Sequence, residues 1–384
     1  MVRSNRVKYH VSSIGESRGE SVAWSRRHLA LCRRDVLIAI ALIAQLGAAC
    51  SLALKGRGAG DGSPAIHAAI DGPVGLAVID GVLYVAEMQT SRIRRIDLAT
   101  DIISTLPTSR TLDGLFSVSD DGRGRLLIVE HQRISRIDPG SGVVTTLAGS
   151  GMAGDSGDGG LATAATLRMA HRSAADRDGN VYIAEAKRIR RVDSRTGVIT
   201  TFAGTGEILT SGDGGSAASA AFEFPNSVAM DGIGSVYISQ YGDDPSSHRI
   251  RRVEATGLVT TIAGPASIVW LSDATPQSGI RNPSDLTYDH RGGLLFLDAV
   301  GGMVFRVELS TGTVRLIAGG GTGTGDGAAT AMRLDNPSGL AVGADGAVYV
   351  GEYTGNRVRR IDVRNGTITT VGGNGKPRRN YVIL

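Results

Sequence analysis

An all-β, six-bladed propeller is the fold this sequence predicts, with four antiparallel strands per blade, after an N-terminal export signal. Three observations lead there. A unit of about 55 residues recurs six times. Each copy carries four short strand patterns separated by Gly-rich turns. Glycine makes up 54 of 384 residues while aromatics are 4%, which suits many short strands and tight turns. The glycines have no three-residue period, so a collagen helix is excluded. The supply of Val, Ile and Leu excludes a disordered chain.

The clearest copy reads GNVYIAEAKRIRRVDSRTGVITTFAG, residues 179–204. Others begin at Leu83, Leu126, Val236, Leu294 and Val348. A polar residue closes each second strand: Glu87, Glu130, Glu185, Gln240, Asp298 and Glu352. The first strand is apolar, as in GLAV at 75–78 and 339–342. The third alternates apolar and charged residues, as in RIRRV, and the fourth resembles VITTFAG. Asp-Gly, Gly-Asn and Thr-Gly pairs supply the hairpin turns. One blade cannot bury both of its faces, but a closed ring can. The sequence therefore predicts one propeller domain over 72–380, preceded by a leader (1–50) and a linker (51–71). All four strands of blade 6 lie in order at its C-terminal end, so no N-terminal strand is expected to complete it. Residues 56–70 are expected over the seam.

The leader accounts for the basic charge. Residues 1–50 hold 8 Lys and Arg against 3 Asp and Glu; the remainder holds 33 against 34. The folded part therefore has no basic surplus for nucleic acid. Arg33-Arg34 precede an uncharged run, Val36 to Ala49, of secretory rather than membrane-spanning length. Gly47-Ala48-Ala49 then lead into Cys50, a lipobox-like arrangement whose thiol would accept lipid. The arginine pair also resembles a twin-arginine signal. An uncleaved anchor running on to Leu54 is the alternative. Each places the folded part outside the cytoplasm: periplasmic, as an outer-membrane lipoprotein, or at the cell surface. Membrane contact is expected only through this anchor. Cys32 and Cys50 are the only cysteines, so the rest of the chain can form neither a disulfide nor a cysteine metal site.

The linkers between blades share a second motif: AGDGSPAIHAAI (59–70), SGDGGLATAATL (156–167), SGDGGSAASAAF (211–222) and TGDGAATAMRL (324–334). Its glycines suit positive φ, its Asp suits a cap, and its alanines suit a short helical turn between blades. A calcium loop needs several alternating oxygen donors, and each linker usually offers one carboxylate.

Together, V-Y-I-A-E, R-I-R-R-V-D, T-G-V-I-T-T-F-A-G and S-G-D-G-G resemble the bacterial form of the NHL repeat family, across about 320 residues. The Asn-His-Leu site of that family varies here, as in Gly355-Asn356-Arg357. The resemblance implies a six-bladed propeller used as a binding platform, with ligand taken on one face. It implies little about chemistry.

Repetition guides the choice of candidate residues. Glu87 with Arg92, Glu130 with Arg133, Glu185 with Arg188, and Glu352 with Arg357 recur, with Gln240 and Arg249 in blade 4. A catalytic site is needed once, so these read as ties between the second and third strands. The tandem arginines 94-95, 190-191, 251-252 and 359-360 alternate in facing and form no continuous nucleic-acid patch. Residues that break the repeat carry more information. Val74, His171, Asn226, Ser284 and Ser338 are expected to line the channel mouth. His171, Asn226, Arg172 and Asp285 are grouped as a small polar site, and His131 and His248 are expected on the same face. Blade 4 departs most: its loop 241–248 includes Tyr241, Asp243 and Asp244, and its exit linker 265–280 holds Trp270.

These readings favour a non-enzymatic, monomeric module. It binds protein, peptide or glycan and uses no cofactor, metal or nucleic acid. The alternative is a metal-dependent propeller hydrolase or lyase. Pro225-Asn226 is similar to a gluconolactonase pattern, and His131, His171 and His248 are candidate ligands. Val74, Ser284 and Ser338 stand where further ligands would be needed.

Overall fold

The computed structural model describes residues 60–270 and 276–376. Six sheets form there, one per repeat, each built on four antiparallel strands. Blade 1 comprises Pro73–Ile79, Val82–Glu87, Arg92–Asp97 and Ile103–Thr105. Blade 2 comprises Ser117–Asp120, Leu126–Glu130, Arg133–Ile137 and Val144–Ala148. Blade 3 comprises Arg172–Ala175, Val181–Glu185, Arg188–Val192 and Ile199–Ala203. Blade 4 comprises Pro225–Met230, Val236–Gln240, Arg249–Val253 and Val259–Ala263. Blade 5 comprises Pro283–Tyr288, Gly293–Asp298, Met303–Glu308 and Val314–Gly319. Blade 6 comprises Pro337–Val342, Val348–Glu352, Arg357–Asp362 and Thr367–Gly372. The first strand of each is innermost, and the six inner strands touch in cyclic order.

Period-two alternation puts both faces of each blade to use. In blade 1, Leu83 and Val85 pack toward blade 6 while Tyr84 and Ala86 pack toward blade 2. One apolar cluster fills each blade-to-blade boundary. The cluster joining Ile70, Leu83 and Ile96 to Ala341, Tyr349 and Val358 closes the ring. A blade alone would leave one of these layers in water. Burial of each large aliphatic side chain is worth roughly 1.5–3 kcal/mol.

Blade 6 is complete without an N-terminal strand, as expected. The described part of the seam segment staples the ends together. Ala65 and Ala68 carbonyls accept from Gly373 and Asn374, each at 2.9 Å, while Gly62 N donates to Ile103 O at 2.8 Å. Residues 56–59 of that expectation lie outside the described residues, as do the leader and Cys50.

The alanine runs form single 3-10 turns at Ala65–His67, Ala162–Ala164, Ala217–Ser219 and Ala329–Ala331. The motif aspartate does not cap them, which corrects the sequence reading; the cap positions are Pro64, Leu161, Ser216 and Ala328. It meets the middle arginine of the third strand instead. Arg94–Asp61 is 2.8 Å, Arg190–Asp158 2.7 Å, Arg251–Asp213 2.8 Å and Arg359–Asp326 3.5 Å. The four arginines are fully buried. A buried guanidinium demands a counter-charge, which explains why the linker keeps its Asp. The motif's first glycine lets the linker approach: at Gly157 (φ 102°) an added Cβ would lie 2.7 Å from Ala165.

Blades 2 and 5 lack the motif, and each compensates. In blade 2 the arginine moves to the linker: Arg110 reaches Glu130 at 2.8 Å and Ser135, which replaces the strand arginine, at 3.0 Å. In blade 5, Phe305 takes the arginine's place and stacks on Phe296 at 5.2 Å. Its incoming linker pairs Ile268–Trp270 in parallel with the outer strand and folds back through Pro276–Ser278. Blade 5 is thereby widened to six strands.

Candidate functional site

Each inner strand begins where its second strand ends, as in Pro73 opposite Glu87. The starts of the inner strands and the loops from second to third strand therefore share one face, the mouth. The residue after the initial proline was expected to face the axis, but a register shift falls there in blades 1, 4, 5 and 6. A bulge re-aims the side chains that follow it. Pairing aligns Gly75, Ser117, Arg172, Ser227 and Gly339, each opposite the residue preceding the closing polar position. Asp285 holds that place in blade 5. Val74 packs into the boundary between blades 1 and 2, and the Ser338 hydroxyl donates to Pro73 O.

Small residues at four of these six places leave room for the two large ones. Arg172 Nε donates to Asp285 Oδ1 at 3.1 Å. Its Nη groups donate to Phe116 O and Val74 O, each at 2.9 Å, and to Ser338 O. Asp285 also accepts from Ser227 Oγ at 3.0 Å and, through its other oxygen, from Leu340 N at 2.9 Å. One ion pair thus engages all six blades across the axis. Arg172, weighed only as a neighbour of His171 in the sequence, is the residue that fills the channel.

The other candidates are spread over the mouth. His171 is half-buried, and burial, aided by the Arg172 charge, lowers its imidazole pKa to about 4. Asn226 is half-buried on the inner strand of blade 4. Tyr241 stacks on Phe224 at 5.8 Å, and burial raises its hydroxyl pKa. Asp243 is exposed; Asp244 caps the turn Pro245–Ser247 by accepting from Ser246 N at 2.7 Å. Trp270 closes its strand opposite Pro276, and its side chain lies outside the described part.

His131 and His248 are engaged separately. His131 lies edge-on to Phe116 at 5.4 Å. His248 Nδ1 accepts from Asn282 N at 3.2 Å, and its Nε2 lies 3.2 Å from Gly242 O. Among the described residues no three His, Cys, Asp or Glu side chains form a group able to hold a metal ion.

The expected acid–arginine ties form in three blades: Glu87–Arg92 at 2.9 Å, Glu185–Arg188 at 3.7 Å, and Glu352–Arg357. Two expectations are corrected. Glu130 pairs with Arg110 because Arg133 turns outward to Ser150 O. Gln240 donates to Thr210 Oγ1 at 2.8 Å and to Ser247 O at 3.2 Å, while Arg249 donates to Ser246 O. The uncharged amide offers a guanidinium no charge to meet.

A feature the sequence reading missed lies just before the inner strands. The residue there is left-handed in every blade: Gly72, Gly114, Met169, Phe224, Asn282 and Asn336, with φ between 31° and 59°. Glycine and asparagine tolerate this; methionine and phenylalanine are strained by it. The preceding residues are Asp71, Asp113 and Asp335 in blades 1, 2 and 6, against Arg168, Glu223 and Arg281 in blades 3 to 5. The backbone N–H of each aspartate donates to the closing glutamate of its blade at 3.0–3.2 Å. In blade 3, Glu185 has no hydrogen-bond partner among the described residues, and burial raises its carboxyl pKa to about 7. The signal was present in the sequence: ID-G-P, LD-G-L and LD-N-P become LR-M-A and FE-F-P.

No family model matches the chain. Mouse teneurin-4 is 27% identical over 229 residues, covering 53% of this chain and 8% of that protein. Teneurin-1 of Caenorhabditis elegans is 27% identical over 292 residues, covering 66% of this chain and 10% of that protein. The chain thus matches only a small part of these relatives' length. Among solved structures, a protein of unknown function from Bacteroides thetaiotaomicron superposes with a TM-score of 0.57 at 15% identity, over 76% of this chain and 70% of that one. An auxiliary nutrient binding protein from the same organism gives 0.52 at 17%, over 79% and 70%. A gluconolactonase from Xanthomonas campestris gives 0.51 at 12%, over 79% and 88%. These likenesses establish the propeller fold and nothing of its chemistry.

Proposed function

We propose that this chain is an NHL-type binding module that takes a protein, peptide or glycan ligand on its mouth face, exported and held at a bacterial membrane through its leader. The observation that carries this reading is the filled axis. Arg172 and Asp285 occupy the place where a propeller enzyme would build a central pocket, and both are committed to internal partners. What varies from blade to blade is the mouth surface of blades 3 to 5. The structural neighbours include one described as nutrient-binding and one as a gluconolactonase, so the fold serves either use and the site decides. A hydrolase built here would need ligands that the separated histidines do not supply. The tandem arginines are no nucleic-acid surface, since Arg94, Arg190, Arg251 and Arg359 are buried.

Two measurements test the reading. Purified protein probed against peptide and glycan arrays is expected to retain a ligand, with retention lost on altering the blade 3–4 mouth. Turnover of lactone substrates without any retained ligand would overturn it. Mass spectrometry of the N-terminus after expression in a bacterium is expected to show an acylated Cys50; an intact Met1 on a cytoplasmic protein would remove the export component.

A further inference from the structure

We propose that the outer edge of blade 2 takes up an extended, acidic segment of a partner polypeptide as an added strand. The site lies on the rim, toward the end of the blade opposite the mouth, and is independent of the mouth reading. The five other blades show what such an edge accepts. One residue of each outer strand is paired by that blade's own incoming linker. Gly62, Gly159 and Gly214 N donate to the carbonyls of Ile103, Ile199 and Val259, each at 2.8 Å. Val269 pairs with Val314, and Gly327 with Ile368. Two residues on, blades 1, 3, 4 and 6 carry Thr105, Thr201, Thr261 and Thr370, and the motif aspartate meets each. Thr201 N donates to Asp158 at 3.0 Å and Thr370 N to Asp326 at 2.9 Å. The Thr105 and Thr261 hydroxyls donate to Asp61 and Asp213.

Blade 2 keeps the receiving half of this arrangement and lacks the insert. Register aligns Val144 with Ile199 and Thr146 with Thr201. The incoming linker, 106–116, is shorter than its counterpart 149–171 and has no GDG loop. Its Ser109 Oγ accepts from Val144 N at 3.0 Å. Val144 O and Thr146 N project outward by the same alternation, and neither meets a hydrogen-bond partner among the described residues. The segment VVTTLA at 143–148 carries no charge, the usual guard of an open edge. A row of outward backbone groups is what an extended polypeptide recognises.

The surroundings select the occupant. A groove of about 270 Å³ opens beside this edge, lined by Thr146 and Leu147 on one side and by Leu161, Thr163 and Val192 on the other. Leu161 is 62% exposed, so a side chain of the added strand would cover it. In blades 3 and 4 the aspartate that meets the threonine also has the first arginine of the third strand nearby: Arg188–Asp158 is 4.0 Å and Arg249–Asp213 3.7 Å. Arg133 holds that place in blade 2. It is exposed, donates to Ser150 O, and enters no ion pair among the described residues. The other charges about the groove are already met: Arg110 by Glu130, Arg136 by Asp121, and Asp193 by Arg191. An incoming carboxylate thus finds the Thr146 N–H and hydroxyl with Arg133 in reach, while the next backbone N–H meets Val144 O.

The test pans random phage-displayed peptides against the full-length protein, with counter-selection on Thr146→Pro. Proline there removes an outward donor and leaves the ladder to the third strand intact. Enriched sequences are expected to set Asp beside a small residue within a β-branched run. For an enriched synthetic peptide, Thr146→Pro and Arg133→Glu are each expected to weaken binding about tenfold, and hydrogen exchange is expected to slow at 144–147 in the complex. Arg133 is exposed, so its variant keeps the test valid if the proline variant misfolds. Three outcomes overturn the inference: no sequence that tells native from variant protein, protection confined to the mouth, or concentration-dependent dimerisation abolished by Thr146→Pro, which would put a second copy on this edge. A mouth ligand held equally by native and variant protein leaves the mouth reading standing in each case.

Discussion

Blades 1, 2 and 6 and blades 3 and 4 share one plan, yet they treat the same few mouth positions in opposite ways. The first group sets Asp then Gly or Asn before the inner strand, and that Asp backbone satisfies the buried glutamate. The second sets Arg-Met and Glu-Phe there, accepts left-handed strain, and in blade 3 leaves Glu185 without a hydrogen bond. Both groups bury the same kind of apolar layer between blades. The contrast teaches that packing between blades is under one constraint and the mouth under another. Stability alone would have made all six mouths alike.

The largest effect tests whether the axis belongs to both halves. Arg172→Ala leaves Asp285 buried without its counter-charge and strands carbonyls of blades 1, 2 and 6. A loss of about 3–5 kcal/mol is expected in urea unfolding. A loss no greater than that of a surface arginine would show that the ring closes on its apolar layers alone.

Glu185→Gln comes next. The folded-state carboxyl pKa of about 7 stands above its ordinary 4.5. Its contribution is thus fully present below pH 4.5 and is lost as pH rises through 7. Relative to Glu185→Gln, the native protein is expected to lose about 3 kcal/mol across that window. A pH profile of Glu185→Gln parallel to that of the native protein would show that the blade 3 carboxyl carries no such penalty.

The smallest effect carries the sharpest sign. Met169→Gly relieves left-handed strain and is expected to stabilise by about 1 kcal/mol. Gly114→Met, at the matching place in blade 2, meets both the strain and the His131 ring, and is expected to destabilise by more than about 1 kcal/mol. Thermal unfolding of the pair checks it; equal signs would mean that the mouth positions are not equivalent.

Much of this was legible in the linear chain. Repeat number, strand order and ring closure within blade 6 follow from period-two patterns and turn residues, which act within a few residues of each other. The acid–arginine ties were readable where register alone pairs them, as at Glu87 and Arg92. They failed at Glu130, because Arg110 arrives from a linker twenty positions away. The GDG aspartate was misread as a cap because its partner, the third-strand arginine, lies more than thirty residues downstream.

The sequence by itself determined a six-fold propeller and marked blade 4 as irregular, since both are written in local periodicity and in its interruption. Only the tertiary structure decided what stands on the axis. In blades 1, 4, 5 and 6 a bulge after the first proline brings the second residue beyond it to the axis, and six strands far apart in sequence bring Gly75, Ser117, Arg172, Ser227, Asp285 and Gly339 to one level. Whether a lone arginine there meets solvent or an aspartate two blades away is a question of closure, and closure is a property of the whole ring.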